Sequence, residues 1–213
     1  NGVTSEQANS LTGTGMLSSQ SITEVINGYV AGDLFSIGAA DPIKIVVGYE
    51  WRSEDFDRTS DTVFAEGQLL GQGGPTPSLG GGFTVSEFFA EASIPLTENL
   101  AADLAYRYSD YSTVGGQDTY RLGLDWQPID LVRLRAGYNR AVRAPNVSEL
   151  YSVNNLGLWA GADPCSGANP EYTAAQCAQT GVTAAQYGSV VQSPADQYNQ
   201  VTGGNVDLDV EEA

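Results

Sequence analysis

Along several stretches of the chain, apolar and polar residues alternate one for one. That is the pattern of an extended strand, whose successive side chains point to opposite faces of a sheet. From Ile43 to Arg52, one face carries Ile43, Ile45, Val47, Tyr49 and Trp51, and the other Lys44, Val46, Gly48, Glu50 and Arg52. From Leu100 to Ser109, Leu100, Ala102, Leu104, Tyr106 and Tyr108 oppose Ala101, Asp103, Ala105, Arg107 and Ser109. Tyr120, Leu122, Leu124 and Trp126 then oppose Thr119, Arg121, Gly123 and Asp125. Val132, Leu134, Ala136 and Tyr138 oppose Arg133, Arg135, Gly137 and Asn139.

Two looser strands complete a set of six. One runs from Ser21 to Leu34 with Ile26, Val30 and Leu34 on its apolar face, and one from Val85 to Leu96 with Phe88, Ala90, Ala92, Ile94 and Leu96. The connections alternate in length. Ser36 to Pro42, Thr97 to Asn99 and Gln127 to Asp130 are short; Ser53 to Thr84, Asp110 to Asp118 and the tract after Arg143 are longer. Long and short connections therefore fall at opposite ends of an antiparallel meander.

Two architectures share this alternation. A soluble up-and-down barrel turns its apolar face inward and has loops of a few residues. A membrane barrel turns the apolar face outward to lipid. Strands of about ten residues, aromatic residues near strand ends (Tyr49, Trp51, Tyr106, Tyr108, Trp126, Tyr138) and long loops at one end favour the membrane. On that reading Ile43, Ile45, Val47, Leu122, Leu124, Val132 and Leu134 face lipid, while Lys44, Arg121, Arg133 and Arg135 face the interior.

Composition narrows the chemistry. The 213 residues include 25 Gly, no His and one Met, with a net charge of -17. Without His, the commonest general base and the commonest metal ligand are both absent. Nine scattered Lys and Arg do not make the basic patch that nucleic acid requires. No run of about 18 apolar residues is present to form a spanning helix, and the polar start at Asn1-Gly2-Val3-Thr4 lacks the features of a signal peptide, so the true start of the gene product is expected elsewhere.

The remaining motifs read as loop furniture. Gly71-Gln72-Gly73-Gly74-Pro75-Thr76-Pro77 and Gly80-Gly81-Gly82 lack the Lys-Ser/Thr of a phosphate loop and are expected to be flexible surface turns. Thr4 to Gln7, Thr173 to Gln176 and Thr183 to Gln186 match the capping box that opens a short helix. Glu54-Asp55-Phe56-Asp57 and Asp207 to Glu212 lack calcium-loop spacing and are expected to be solvated loop charge. Cys165 and Cys177 are too far apart for a redox pair, and with no His a zinc site is disfavoured; in an exported chain they are expected to form one disulfide.

Tyr138-Asn139-Arg140-Ala141-Val142-Arg143-Ala144-Pro145-Asn146-Val147-Ser148-Glu149-Leu150-Tyr151 resembles the barrel of TonB-dependent receptors, in which a strand runs into an Arg-Ala-Pro-Asn segment that opens a long external loop. Gly203-Gly204-Asn205-Val206-Asp207-Leu208-Asp209-Val210-Glu211-Glu212-Ala213 is similar to the family's Gly-Asn-x-x-Leu-x-x-Glu-Glu element before the next strand, with Val206 and Val210 where proline is common. Gly48 to Arg52 and Tyr106 to Tyr111 are similar too, so the likeness spans most of the chain.

The resemblance implies an all-β fold: residues 1–213 as part of the barrel domain of a 22-stranded receptor, with the plug domain and the remaining strands outside this sequence. Six strands cannot close such a barrel, and an open edge in lipid leaves backbone amides unpaired. The implied partners are outer-membrane lipid, the remaining strands and plug of the same receptor, TonB through the absent N-terminal part, and a small solute. The implied function is TonB-energised uptake of a scarce solute across the bacterial outer membrane, with no cofactor. Arg143, Asn146, Glu149 and Tyr151 are candidate ligand contacts at the start of the loop, and the segment Ser53 to Thr84 is a second place to look. Two rivals remain. One is a non-transporting surface-binding or structural barrel, an adhesin or assembly scaffold; the other is an outer-membrane enzyme, for which no nucleophile with an adjacent base is visible.

Overall fold

A computed structural model describes residues 2–37 and 41–213. The elements in chain order are α1 (Ser5–Leu11), β1 (Leu17–Asp33), β2 (Lys44–Ser60), α2 (Thr62–Ala65), β3 (Leu79–Thr97), β4 (Leu100–Tyr111), β5 (Gly115–Ile129) and β6 (Val132–Arg140). They are followed by β7 (Val142–Arg143), α3 (Val147–Tyr151), β8 (Asn155–Ala160), α4 (Ala174–Ala178), β9 (Gln197–Thr202) and β10 (Glu211–Glu212). The chain divides into two compact units. The larger holds residues 18–59, 78–152 and 204–213; the smaller holds residues 1–17, 60–77 and 153–203.

In the larger unit β1 to β6 form one antiparallel meander in sequence order, and among the described residues its two end strands are not paired to each other. This is the expected six-stranded, unclosed sheet. Its register fixes the two faces. Ile45 pairs with Ala92, Ala92 with Leu104, Leu104 with Leu122 and Leu122 with Tyr138, which makes one continuous apolar row. Val46, Glu91, Ala105, Arg121 and Asn139 form the adjacent row on the opposite face. Val47, Leu122, Leu124 and Leu134 of the apolar face are exposed. Such a surface is costly in water and favourable in lipid.

The strands run longer than expected. β2 has 17 residues and β3 has 19, and their ladder continues to Arg58 opposite Leu79. The Ser53 to Thr84 connection is therefore strand at both ends, and the loop proper is residues 61–78. Glu54, Asp55, Phe56 and Asp57 belong to β2 and Gly80, Gly81 and Gly82 to β3, rather than to a mobile loop. The reason is an inversion of polarity. In this distal part the inner face carries the buried Leu79, Phe83 and Val85, while Asp55, Asp57 and Thr84 point outward. Val147 and Leu150 of α3 are buried as well, and α3 packs on β3. Gly81 seats this packing, because a Cβ there would collide with the Tyr151 ring.

Between β4 and β5 the expected longer connection of Asp110 to Asp118 is a turn spanning residues 112–114, closed by Gly115 at φ +69. Residues 38–40 of the Ser36 to Pro42 connection lie outside the described residues; Leu34 N–H donates to Ile43 O at 2.8 Å and Ile43 N–H to Phe35 O at 3.2 Å beside it. The other short connections, after β3 and after β5, are as expected.

In the smaller unit β8 and β9 form a hairpin ladder from Asn155 opposite Thr202 to Ala160 opposite Gln197. Capping boxes at Thr4 and Thr173 open α1 and α4. The third match does not open a helix. Thr183 N–H and hydroxyl both donate to the Gln186 side chain at 3.0 and 2.8 Å, but the segment is a turn, since Gly188 at φ +78 follows at once.

Candidate functional site

Three arrangements carry polar chemistry. The first is on the inner face of the sheet, against a recess of about 770 Å³. Glu87 of β3, in its lining, is 4% exposed; it accepts a hydrogen bond from Ser109 Oγ at 2.5 Å and pairs with Arg107 at 3.2 Å, both from β4. The Arg107 guanidinium also lies 5.2 Å from the centre of the Phe89 ring. Gly48, opposite Phe89 on β2, leaves room for that ring, since a Cβ there would overlap it. A buried carboxylate is tolerated when it is paired and hydrogen-bonded, and Glu87 has both. Farther along this face Arg133 and Arg135 converge on Asp125, with Arg133 Nε 2.8 Å and Arg135 Nε 3.2 Å from its oxygens. Lys44, Arg121, Arg133 and Arg135 thus share the face opposite Val47, Leu122, Leu124 and Leu134, as the alternation predicts.

The second arrangement is where β6 passes into the long tract, and it holds all four candidate loop residues. Arg143 on β7 pairs with Glu149 through both terminal nitrogens at 3.0 Å, and with Glu211 on β10 at 2.6 and 3.0 Å. Asn146 caps α3: its side chain accepts from Glu149 N–H at 3.0 Å, and its own N–H donates to the Glu149 carboxylate at 2.8 Å. Tyr151 at the end of α3 donates to Gly82 O at 3.4 Å. The Arg143 guanidinium, and after it the Asn146 N–H, hold the Glu149 carboxyl below the ordinary carboxylate range; Arg143 does the same to Glu211. These contacts raise the guanidinium's own pKa in turn. Each of the four residues is therefore engaged within the chain, in a knot joining β7, α3 and β10. An Arg fork suits this because it can hold two carboxylates at once. Arg140 pairs with Glu212 next to it, and Ala141 and Ala213 exchange backbone hydrogen bonds at 2.9 and 3.0 Å.

The third arrangement is the smaller unit. Cys165 and Cys177 are disulfide-bonded, with Cα atoms 5.7 Å apart, and both are buried. In the same unit β8 and β9 place Trp159 opposite Tyr198, with ring centres 5.9 Å apart. This aromatic pair was missed in the sequence; the only signal was the short alternation of Leu156 and Leu158 before Trp159.

An antiparallel meander with one exposed apolar face rimmed by aromatic rings, one charged face and one long-looped end is the wall of a transmembrane β-barrel. The chain belongs to the TonB-dependent receptor-like β-barrel family, whose description it matches over residues 3–213. That family comprises receptors of the bacterial outer membrane rather than a class of enzymes. Solved structures share the fold. The siderophore receptor PirA from Acinetobacter baumannii is 19% identical, with a TM-score of 0.57 over 91% of this chain and 24% of its own. The ferric enterobactin receptor PfeA in complex with BCV-L6 is 22% identical, with a TM-score of 0.59 over 91% and 24%. A variant of PfeA from Pseudomonas aeruginosa in complex with enterobactin is 22% identical, with a TM-score of 0.57. The chain thus spans about a quarter of the length of these receptors. No curated protein matches it.

Proposed function

We propose that the chain supplies wall strands and external loops to an outer-membrane receptor that imports a scarce solute with energy delivered through TonB. The observation that carries this is the six-stranded meander with segregated faces, in a chain matching the receptor family over nearly its whole length. In the complete receptor the apolar rows would lie against lipid, and the Glu87 and Arg107 face against the plug. The long tract after Arg143 and the loop of residues 61–78 would meet the solute outside the cell. Arg143, Asn146, Glu149 and Tyr151 stand at the root of that tract, where a solute contact would compete with the bonds they already make.

The test is nutrient-limited growth and solute uptake in cells with and without the intact receptor gene. Import predicts loss of growth on at least one limiting nutrient, and arrest of its uptake when the inner-membrane proton gradient is collapsed. Unchanged growth and uptake in the deletion strain, with the receptor present in the parental outer membrane, would instead establish a surface-binding or scaffold role.

A further inference from the structure

The smaller unit contains no Lys or Arg: none occurs in residues 1–17, 60–77 or 153–203. Its formal charges are all acidic, at Glu6, Asp61, Glu66, Asp163, Glu171 and Asp196. An anionic solute, such as an iron–catecholate complex, is held by cationic donors, because desolvating an anion without them is costly. No such donor exists in this unit. What it offers instead lies on one face of the β8–β9 hairpin, where Gly157 and Trp159 stand opposite Gln200 and Tyr198. Trp159 is 42% exposed. Gly157 lies between Asn155 and Trp159 on that face; a Cβ there would just touch the Thr202 hydroxyl at 3.6 Å and the Gln200 side chain at 3.8 Å, so the absent side chain leaves these polar neighbours bordering the strip beside the indole. Tyr198 accepts a hydrogen bond from Ser193 N–H at 3.3 Å, and its hydroxyl proton is available to donate outward. Gln200 donates to Leu158 O at 3.2 Å, which leaves its carbonyl as an acceptor on the same face.

Resting on the import reading above, we propose that this hairpin face binds a neutral saccharide. The C–H face of a pyranose lies on the Trp159 indole, and its hydroxyls exchange hydrogen bonds with Tyr198 and Gln200. The chemistry fits on three counts. A sugar ring has an apolar face that an exposed indole covers, a rim of hydroxyls that need uncharged donors and acceptors, and no charge that would require a cation. Ion pairing plays no part, so affinity does not depend on ionic strength.

The experiment uses the full-length receptor in detergent and titrates it calorimetrically with maltohexaose, cellohexaose, xylohexaose and chitohexaose, and separately with ferric enterobactin as the anionic contrast. At least one hexaose should bind. Trp159→Ala should weaken that binding at least tenfold, Trp159→Phe should restore part of it, and raising salt from 50 to 500 mM should leave it unchanged. Circular dichroism and the intact disulfide in W159A serve to show that the loop is still folded. Binding of none of the hexaoses, or hexaose binding unaltered in a folded W159A, overturns the proposal. Energised uptake of ferric enterobactin undiminished in W159A overturns it too while leaving import standing. Trp159-dependent hexaose binding without energised uptake upholds the surface and overturns import.

Discussion

Leu104 and Ala105 are neighbours on β4 with opposite surroundings, so placing the same lysine at each isolates the face from the strand. Leu104 lies in the apolar row between Ala92 and Leu122, with Tyr106 two residues toward the long-loop end and Leu100 four residues toward the other. It is 40% exposed within the chain, and that is the part lipid would cover. Taking a whole leucine side chain out of water is worth about 1.5–3 kcal/mol, so the lipid-covered fraction accounts for about 0.6–1.2 kcal/mol. A lysine there loses that contribution and must also hold an ammonium near the middle of the bilayer. The combined penalty expected for Leu104→Lys is about 2–4 kcal/mol. Ala105 points to the other face and pairs with Glu91 on β3 and Arg121 on β5. A lysine at Ala105 gains a carboxylate and meets a like charge, both in a wet interior, so the expected change is within about 0.5 kcal/mol.

The assay is equilibrium unfolding in urea of the full-length receptor refolded into phospholipid vesicles, followed by tryptophan fluorescence. Leu104→Lys should lower the midpoint substantially and Ala105→Lys scarcely at all. Equal penalties at the two sites would refute the assignment of faces. A larger penalty at Ala105 would mean that the apolar rows line the interior of a soluble-type barrel.

Three further outcomes follow from particular contacts. The Cys165–Cys177 bridge closes a loop with a sequence separation of 12, worth about 3 kcal/mol of chain entropy on the loop-closure account, so Cys165→Ser should speed chymotryptic cleavage at the half-exposed Tyr172 while leaving the sheet folded; cleavage at the parental rate would sink this. Glu149 and Glu211 have carboxyl pKa values held below the unfolded value of about 4.3, so their pairing with Arg143 is at full strength above that pH and is lost as pH falls through the lower folded values. Protection of the Leu150 amide, relative to its intrinsic exchange rate at each pH, should therefore be lost only below the unfolded carboxyl value of about 4.3, and Arg143→Gln should remove that pH dependence. Gly48→Ala would force a methyl group into the Phe89 ring, and an overpacking cost of about 1–3 kcal/mol is expected in the same urea assay; a neutral result would mean that the ring does not occupy that site.

The legible part of this fold was the part whose two faces differ in polarity. From Leu100 to Ser109 each outward residue is apolar and most inward ones are polar or small, and the structure pairs that strand in full with both neighbours. Contrast failed where β2 and β3 leave the apolar band. Phe88 is outward, but Val85 and Phe83 are inward and buried, so the apolar phase changes within three residues. A reading that follows a single phase must stop there, although the backbone ladder continues. The loop knot was legible by a different route. Arg143, Asn146 and Glu149 were singled out by resemblance, and Asn146 to Glu149 also has capping-box spacing. Their partner Glu211 lies 68 residues from Arg143, and no local pattern joins the two.

Arg143 and Glu211 are the residues at which the two ends of the long tract meet, since β7 and β10 form a two-stranded ladder of their own with Arg143 opposite Glu211. The ion pair and the ladder close the tract at its base, and α3 fills the space beside them with Val147 and Leu150 against the inner face of β3. A loop closed at its root contributes its closure entropy there, and that cost rises by only about 0.6 kcal/mol for each doubling of length. Everything beyond the root can then change in length and sequence at little expense to the sheet. The larger unit accordingly holds the residues that resemble the family, from Tyr138 to Tyr151 and from Gly204 to Ala213. The smaller unit holds the disulfide and the aromatic hairpin. If the root is the shared element, Arg143→Ala should weaken binding of any solute by loosening the tract, whereas Trp159→Ala should act only on the solute that stacks there. A variant pair in which Arg143→Ala leaves all binding and all loop protection unchanged would refute this division of labour.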